Sequence, residues 1–150
     1  MKNVFNLADT TEFINRINRL TPDSKPNWGK MDVVKMLAHC NVTYEMIYDD
    51  IHPKPNAFKK LLLKLIVKNM VINEKPYKKN GQTAAEFIIK DTRNFEIEKK
   101  RLVNYLINTQ QLGENYFDGK ESHSFGVLTK QEWNNLLSKH LEHHLAQFGV

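Results

Sequence analysis

The sequence predicts an all-α protein, a four-helix bundle of the kind built from amphipathic segments with an extra short helix. Three observations predict it. Apolar residues recur at spacings of three and four in five separate segments. Proline and glycine clusters punctuate the chain between those segments. Strand-like alternation is nearly absent, with "EFIIK" at 86–90 the one short candidate. At 150 residues the chain is long enough to bury its own core, so one domain over 1–150 is expected.

The first segment, "DTTEFINRINRL", carries Phe13, Ile14, Ile17 and Leu20 on one stripe. Asp9 or Thr10 is its candidate cap, and "TPDSKP" ends it with two prolines. The second, "NWGKMDVVKMLAHCNVTYEMIYDDI", follows Gly29 and closes before Pro53. Its expected apolar face is Met31, Val34, Leu37, Ala38, Val42 and Met46. In the third, "NAFKKLLLKLIVKNMVI", Lys60, Lys64 and Lys68 recur every four residues in an otherwise apolar run. A membrane-surface helix has that character, but the breadth of the apolar face favours a core helix with one solvated lysine edge. It is too short and too interrupted by lysine to span a bilayer. "NEKPYKKNGQTAAEFIIKD" reads as a surface loop. "TRNFEIEKKRLVNYLINTQQ" is the next helix, with Phe95, Ile97, Leu102, Tyr105 and Leu106 for the core, and "LGENYFDGKESHSFGVL" is loop again. The last helix is "TKQEWNNLLSKHLEHHLAQF", where Thr129 and Glu132 make a capping box.

Composition narrows the function classes. The net charge is +5 and the isoelectric point about 9.2. The lysines are scattered, and no helix carries a basic stripe interleaved with stacking aromatics, so nucleic acid is not an expected partner. Nor is a membrane. The single cysteine, Cys40, rules out an internal disulfide framework and suits a reducing compartment. The polar start "MKNVFNLADTTEF" lacks the apolar run of a signal peptide, so a cytoplasmic location is expected.

The histidines carry the chemistry. His140 and His144 are four apart and share one helix face with Leu137, Leu141 and Phe148. Two imidazoles turned toward a bundle interior each need a partner for a polar nitrogen. A metal ion satisfies both, and this is the spacing by which helices clamp one ion. A third ligand should come from a facing helix. His39 alone stands in the middle of a long helix in a core-facing pattern, while His52 precedes Pro53 and His123 lies in a loop. The expected site is therefore His39, His140 and His144. Zinc or nickel suits three neutral imidazoles, and three protein ligands leave one position open. Two plainer readings stand beside it: a core histidine bonded to a backbone carbonyl, and histidines placed at a helix C-terminus to suit its dipole. His140 with His143 is an alternative pair, although His143 is expected beside the site or in solvent. Leu141 stands where the H-E-x-x-H protease motif needs glutamate, and Glu142 points away.

Three stretches together, His39 within "WGKMDVVKMLAHC", then "HSFG" at 123–126, then "HLEHHLAQ" at 140–147, resemble the DinB/YfiT-like superfamily, and within it a branch labelled as a domain of unknown function. The resemblance covers the chain from Pro26 onward. It implies a four-helix bundle holding a divalent ion on His39, His140 and His144, with His123 structural or lining the pocket. It also implies a metal-dependent transferase, since characterised relatives include transferases of low-molecular-weight thiols such as bacillithiol and mycothiol.

On that reading the substrate is a small molecule and the thiol is deprotonated at the metal; hydrolysis by an activated water is the variant. Thr43, four residues after His39, is best placed to line the pocket, with an ordinary helix-facing threonine the plainer reading; Gln147 reads either as a hydrogen-bond partner of an imidazole or as a solvated glutamine. Cys40 is a buried, inert thiol, and Trp28 and Trp133 are packing residues at helix starts. The rival class is a non-catalytic stress-related or binding protein with a structural or vacant metal site. A homodimer is expected from the apolar third segment.

Overall fold

Helix α2 (Val33–Tyr48) is the most deeply buried helix of the computed structural model; the structure describes residues 1–150. Asp32 caps it, accepting from the Lys35 backbone N–H. Every residue from Met36 to Glu45 is buried, so this helix is covered all round. Met36, Leu37, Cys40 and Tyr44 belong to the main apolar core. Of the expected face, Leu37, Ala38 and Val42 are buried, while Met31, Val34 and Met46 lie at its margin.

Three more helices complete the bundle. Helix α1 (Leu7–Arg19) brings Phe13 and Ile17, both fully buried, against α5 (Phe95–Phe117) and α6 (Lys130–Gln147). Its cap is Asn6, whose side chain accepts from the N–H groups of Ala8 and Asp9, not Asp9 or Thr10. Those two instead close the chain end onto the helix: Asp9 accepts from Asn3 N–H, and the Thr10 hydroxyl donates to the Val4 carbonyl. Helix α5 stacks Tyr105 on Tyr44, with ring centroids 5.5 Å apart, and buries Phe95, Leu102 and Leu106. Ile97 is exposed, so it is not a core residue. The helix also runs on into "LGENYF", broken at Gly113, whose φ of 71° is tolerated by glycine. The all-helical bundle that the sequence predicts is therefore present.

The one sheet is a pair of two-residue strands, β1 (Glu121–Ser122) and β2 (Gly126–Val127), in the "HSFG" hairpin. "EFIIK" is not a strand. It holds a 3₁₀ turn (Ala85–Phe87). Helix α6 begins with the expected capping box at Thr129 and Glu132. Trp133 packs there on Phe117, centroids 5.5 Å apart. Trp28 lies before α2, not at its start.

The third segment corrects the sequence reading. It is an arm of α3 (Ala57–Leu62), a π-helical turn (Leu63–Val67) and α4 (Lys68–Ile72), with no buried residue in any part. Val71 and Ile72 pack at the core margin, but Phe58, Leu65 and Ile66 are 70–72% exposed. The core does not need this apolar run, because α5 and α6 already pack on α2 and α1 packs on both of them. Polar groups of α6 hold the arm's end. Asn135 donates to the Ile72 carbonyl at 2.8 Å, and the buried Lys139 ammonium donates to the carbonyls of Met70 and Asn73 and to Asn73 Oδ1. A lysine at a helix C-terminus meets the carbonyls that have no partner within the helix.

Truncation separates the two apolar environments. Leu37→Ala is expected to cost about 2–5 kcal/mol in a urea titration, whereas Leu65→Ala on the arm should stay within about 0.5 kcal/mol. Equal losses would contradict the exposed arm.

Candidate metal centre

His39 comes from the middle of α2, and His140 and His144 from successive turns of α6. One candidate ligand atom from each lies within 4.8 Å of those of the other two. His39 and His144 are 5% and 7% exposed, while His140 is half-buried. His39 Nε2 and His140 Nε2 are 2.9 Å apart. Nitrogens sharing a tetrahedral ion at ~2.0–2.1 Å lie ~3.3 Å from each other, so the His39–His140 pair would open by a few tenths of an ångström to share one.

The other nitrogen of each ring is tied outward, which decides where the protons sit. His39 Nδ1 lies 3.0 Å from the Phe87 carbonyl, which can only accept, so Nδ1 carries the hydrogen and Nε2 the lone pair. His144 Nδ1 is 2.9 Å from Gln147 Oε1. The Gln147 amide cannot be reversed, because its Nε2 donates to the Trp28 carbonyl at 2.8 Å. His144 therefore also turns a lone pair inward. His140 Nδ1 faces the Thr43 hydroxyl at 3.0 Å, a group that donates or accepts. In the pair with His39, His140 Nε2 donates, and the Thr43 hydroxyl donates to His140 Nδ1. Holding an ion requires the other tautomer, with His140 Nδ1–H donating to Thr43 Oγ1. The hydroxyl serves both states.

Burial also keeps the rings neutral. Desolvation lowers the pKa of all three, most strongly for His140, where the neighbouring histidines add to it. His144 is pushed down to about 3, first by desolvation and then by His39. Neutral imidazoles with inward lone pairs are the form that binds metal. The donor set thus fits a borderline divalent ion.

The remaining candidates fall outside the cluster. His143 is half-buried, with its ring edge-on to Trp28 and Tyr77. His123 bonds Ser124 Oγ and the His52 carbonyl. His52 Nε2 contacts Glu45 at 2.7 Å. Cys40 is buried and its thiol is pushed far up by desolvation, as suits an inert residue. Glu142 pairs with Arg16 at 2.7 Å, away from the rings. Sequence reasoning missed Phe87, whose contribution is a carbonyl that carries no side-chain signal. It also missed Gly29. A Cβ there would stand 2.7 Å from Gln147 Nε2, and the φ of 82° is a second reason for glycine.

A family model described as "Protein of unknown function (DUF1569)" matches residues 2–149. No curated protein and no solved structure matches the chain.

Two outcomes are expected of this arrangement. Thr43→Val and Gln147→Leu should each weaken zinc binding about 10–100-fold in competition with a chromogenic chelator. The second concerns pH. Below the ordinary histidine pKa the unfolded chain takes up protons that the buried rings refuse, so stability falls as pH falls. Urea midpoints of chelator-treated protein should therefore drop from about pH 6.5 to 5, and less steeply for His39→Gln/His144→Gln. A flat profile would refute the neutral rings.

Proposed function

We propose, for a chain that belongs to the DUF1569 family, a metal-dependent transferase acting on a small thiol, with a divalent ion held by His39, His140 and His144. The observation that carries it is the inward convergence of three neutral imidazoles whose outer nitrogens are all engaged. The likeness of His39 and "HLEHHLAQ" to the DinB/YfiT-like pattern supports the thiol. Zinc or nickel fits the ligand set.

A bound divalent ion lowers the pKa of a thiol or water that coordinates it. The chain's own residues then favour thiol transfer over hydrolysis, because no carboxylate stands by as a base. Glu142 is held by Arg16, and Glu45 by Arg101 and His52. In the transfer the sulfur forms a bond to an electrophilic carbon, the leaving group departs with the electron pair, and the thiol proton goes to solvent. His140, the most exposed of the three, marks the side from which substrate arrives.

A second reading has an observation in its favour. His39 and His144 are nearly buried and belong to different helices, so an ion there would also staple α2 to α6.

Elemental mass spectrometry of tag-free protein is expected to find about one divalent ion per chain, lost in His39→Ala and His144→Ala. The loaded protein should then conjugate a low-molecular-weight thiol to a chromogenic electrophile, and His140→Ala should be slowed more than about a hundredfold. Metal without turnover, together with a large fall in melting temperature on chelation, would establish the staple instead.

A further inference from the structure

The exposed arm has a chemistry that the metal centre does not use. Phe58, Leu61, Leu62, Leu65 and Ile66, spaced three and one, form a single stripe that is 40–72% exposed, and Met70 extends it by a turn. The opposite side packs on the body, where Leu63, Val67, Val71 and Ile72 are half-buried. Apolar side chains therefore occupy both sides of the arm, and only one of them is covered. A contiguous outward stripe of this size marks a contact surface.

Charge identifies the occupant. Eight of the 22 basic residues lie between Lys54 and Lys79, with Glu74 the one acidic residue among them. The rest of the chain is slightly acidic. Four of these lysines are paired with carboxylates: Lys54 with Asp50, Lys59 with Glu86, Lys60 with Glu121 and Lys68 with Glu132. The surplus stays positive, and Lys64 is exposed within the run. Two copies brought together through this face would oppose like charges, which disfavours self-association. A phosphate backbone needs cations but has no use for five aliphatic and aromatic side chains in a row. A bilayer surface with anionic headgroups uses both: the stripe enters the acyl boundary and lysine stems reach back to the headgroups. No helix is long and apolar enough to cross a membrane, so the contact is interfacial.

We propose that the Phe58–Met70 face docks this protein on an anionic membrane surface. The expectation of no membrane contact rested on a buried third helix, and that helix is exposed. The hydrogen bonds from Asn135 and Lys139 fix the arm's C-terminal end, so the stripe is presented in one orientation.

Full-length protein is incubated with sedimenting vesicles of phosphatidylcholine alone or with about 30% phosphatidylglycerol, at about 0.05 M and about 0.5 M salt. Expected is co-sedimentation with the anionic vesicles at low salt, loss with phosphatidylcholine alone, and weakening at high salt. Leu65→Ser/Ile66→Ser should bind more than about tenfold more weakly, and Lys64→Gln about fivefold. Both changes are at exposed positions, and circular dichroism checks the fold. Absence of binding to anionic vesicles at low salt, or equal binding by the double variant, overturns the proposal. So does a wild-type dimer that the double variant converts to monomer, which would give the face to a second copy.

Discussion

A helix buried on its whole circumference leaves each polar side chain to be answered by its neighbours. In helix α2 this happens at alternate positions, while Asn41 Oδ1 and the Tyr44 hydroxyl stay without a partner. His39 meets the Phe87 carbonyl, Asn41 donates to Glu98, Thr43 meets His140, and Glu45 takes Arg101 and His52. Each demand recruits a different element, so satisfying α2 arranges α5, α6 and the 85–87 turn around it. The metal centre is one product of this constraint. A buried ion network on the far side is the other.

That network joins Glu45 and Glu98, both nearly buried, to Arg101 at 2.5 and 3.0 Å. Arg93 adds a second guanidinium to Glu98 at 3.3 Å, and His52 closes the end at Glu45. Arg101 is the partner that both nearly buried carboxylates share, so its removal would be felt by both. The network therefore sets the register of α5 against α2 more than it adds stability. It also engages both of these carboxylates, which leaves neither to serve the histidines.

Much of this was legible in the sequence, and the reasons differ by element. The helices of the bundle announce themselves through spacing, because each hides one stripe. Thr129 with Glu132, and His140 with His144, are read directly from helical geometry; for Thr43 and Gln147 that geometry allows the reach toward the rings without choosing it over an ordinary helix-facing or solvated side chain. The arm was misplaced because an apolar run says that a surface avoids water and does not say what covers it. Asn6, Phe87 and Gly29 were missed for a related reason: they act through backbone placement or a cap one turn ahead of the pattern. The network of Glu45, Glu98, Arg101 and His52 was invisible because its link between α2 and α5 joins residues 56 apart and each member looks like a solvated residue.

The bonds around two of the three rings run one way. At His39 and His144 a hydrogen points outward to a carbonyl or an amide oxygen, and a lone pair points inward. No carboxylate is part of the cluster. An ion held there would therefore keep both of its charges, in surroundings far less polarisable than water. Such a centre is electrostatically incomplete. Its fourth partner is selected by sign before it is selected by shape, and an anion, whether thiolate, hydroxide or carboxylate, is what the interior of this bundle would draw in.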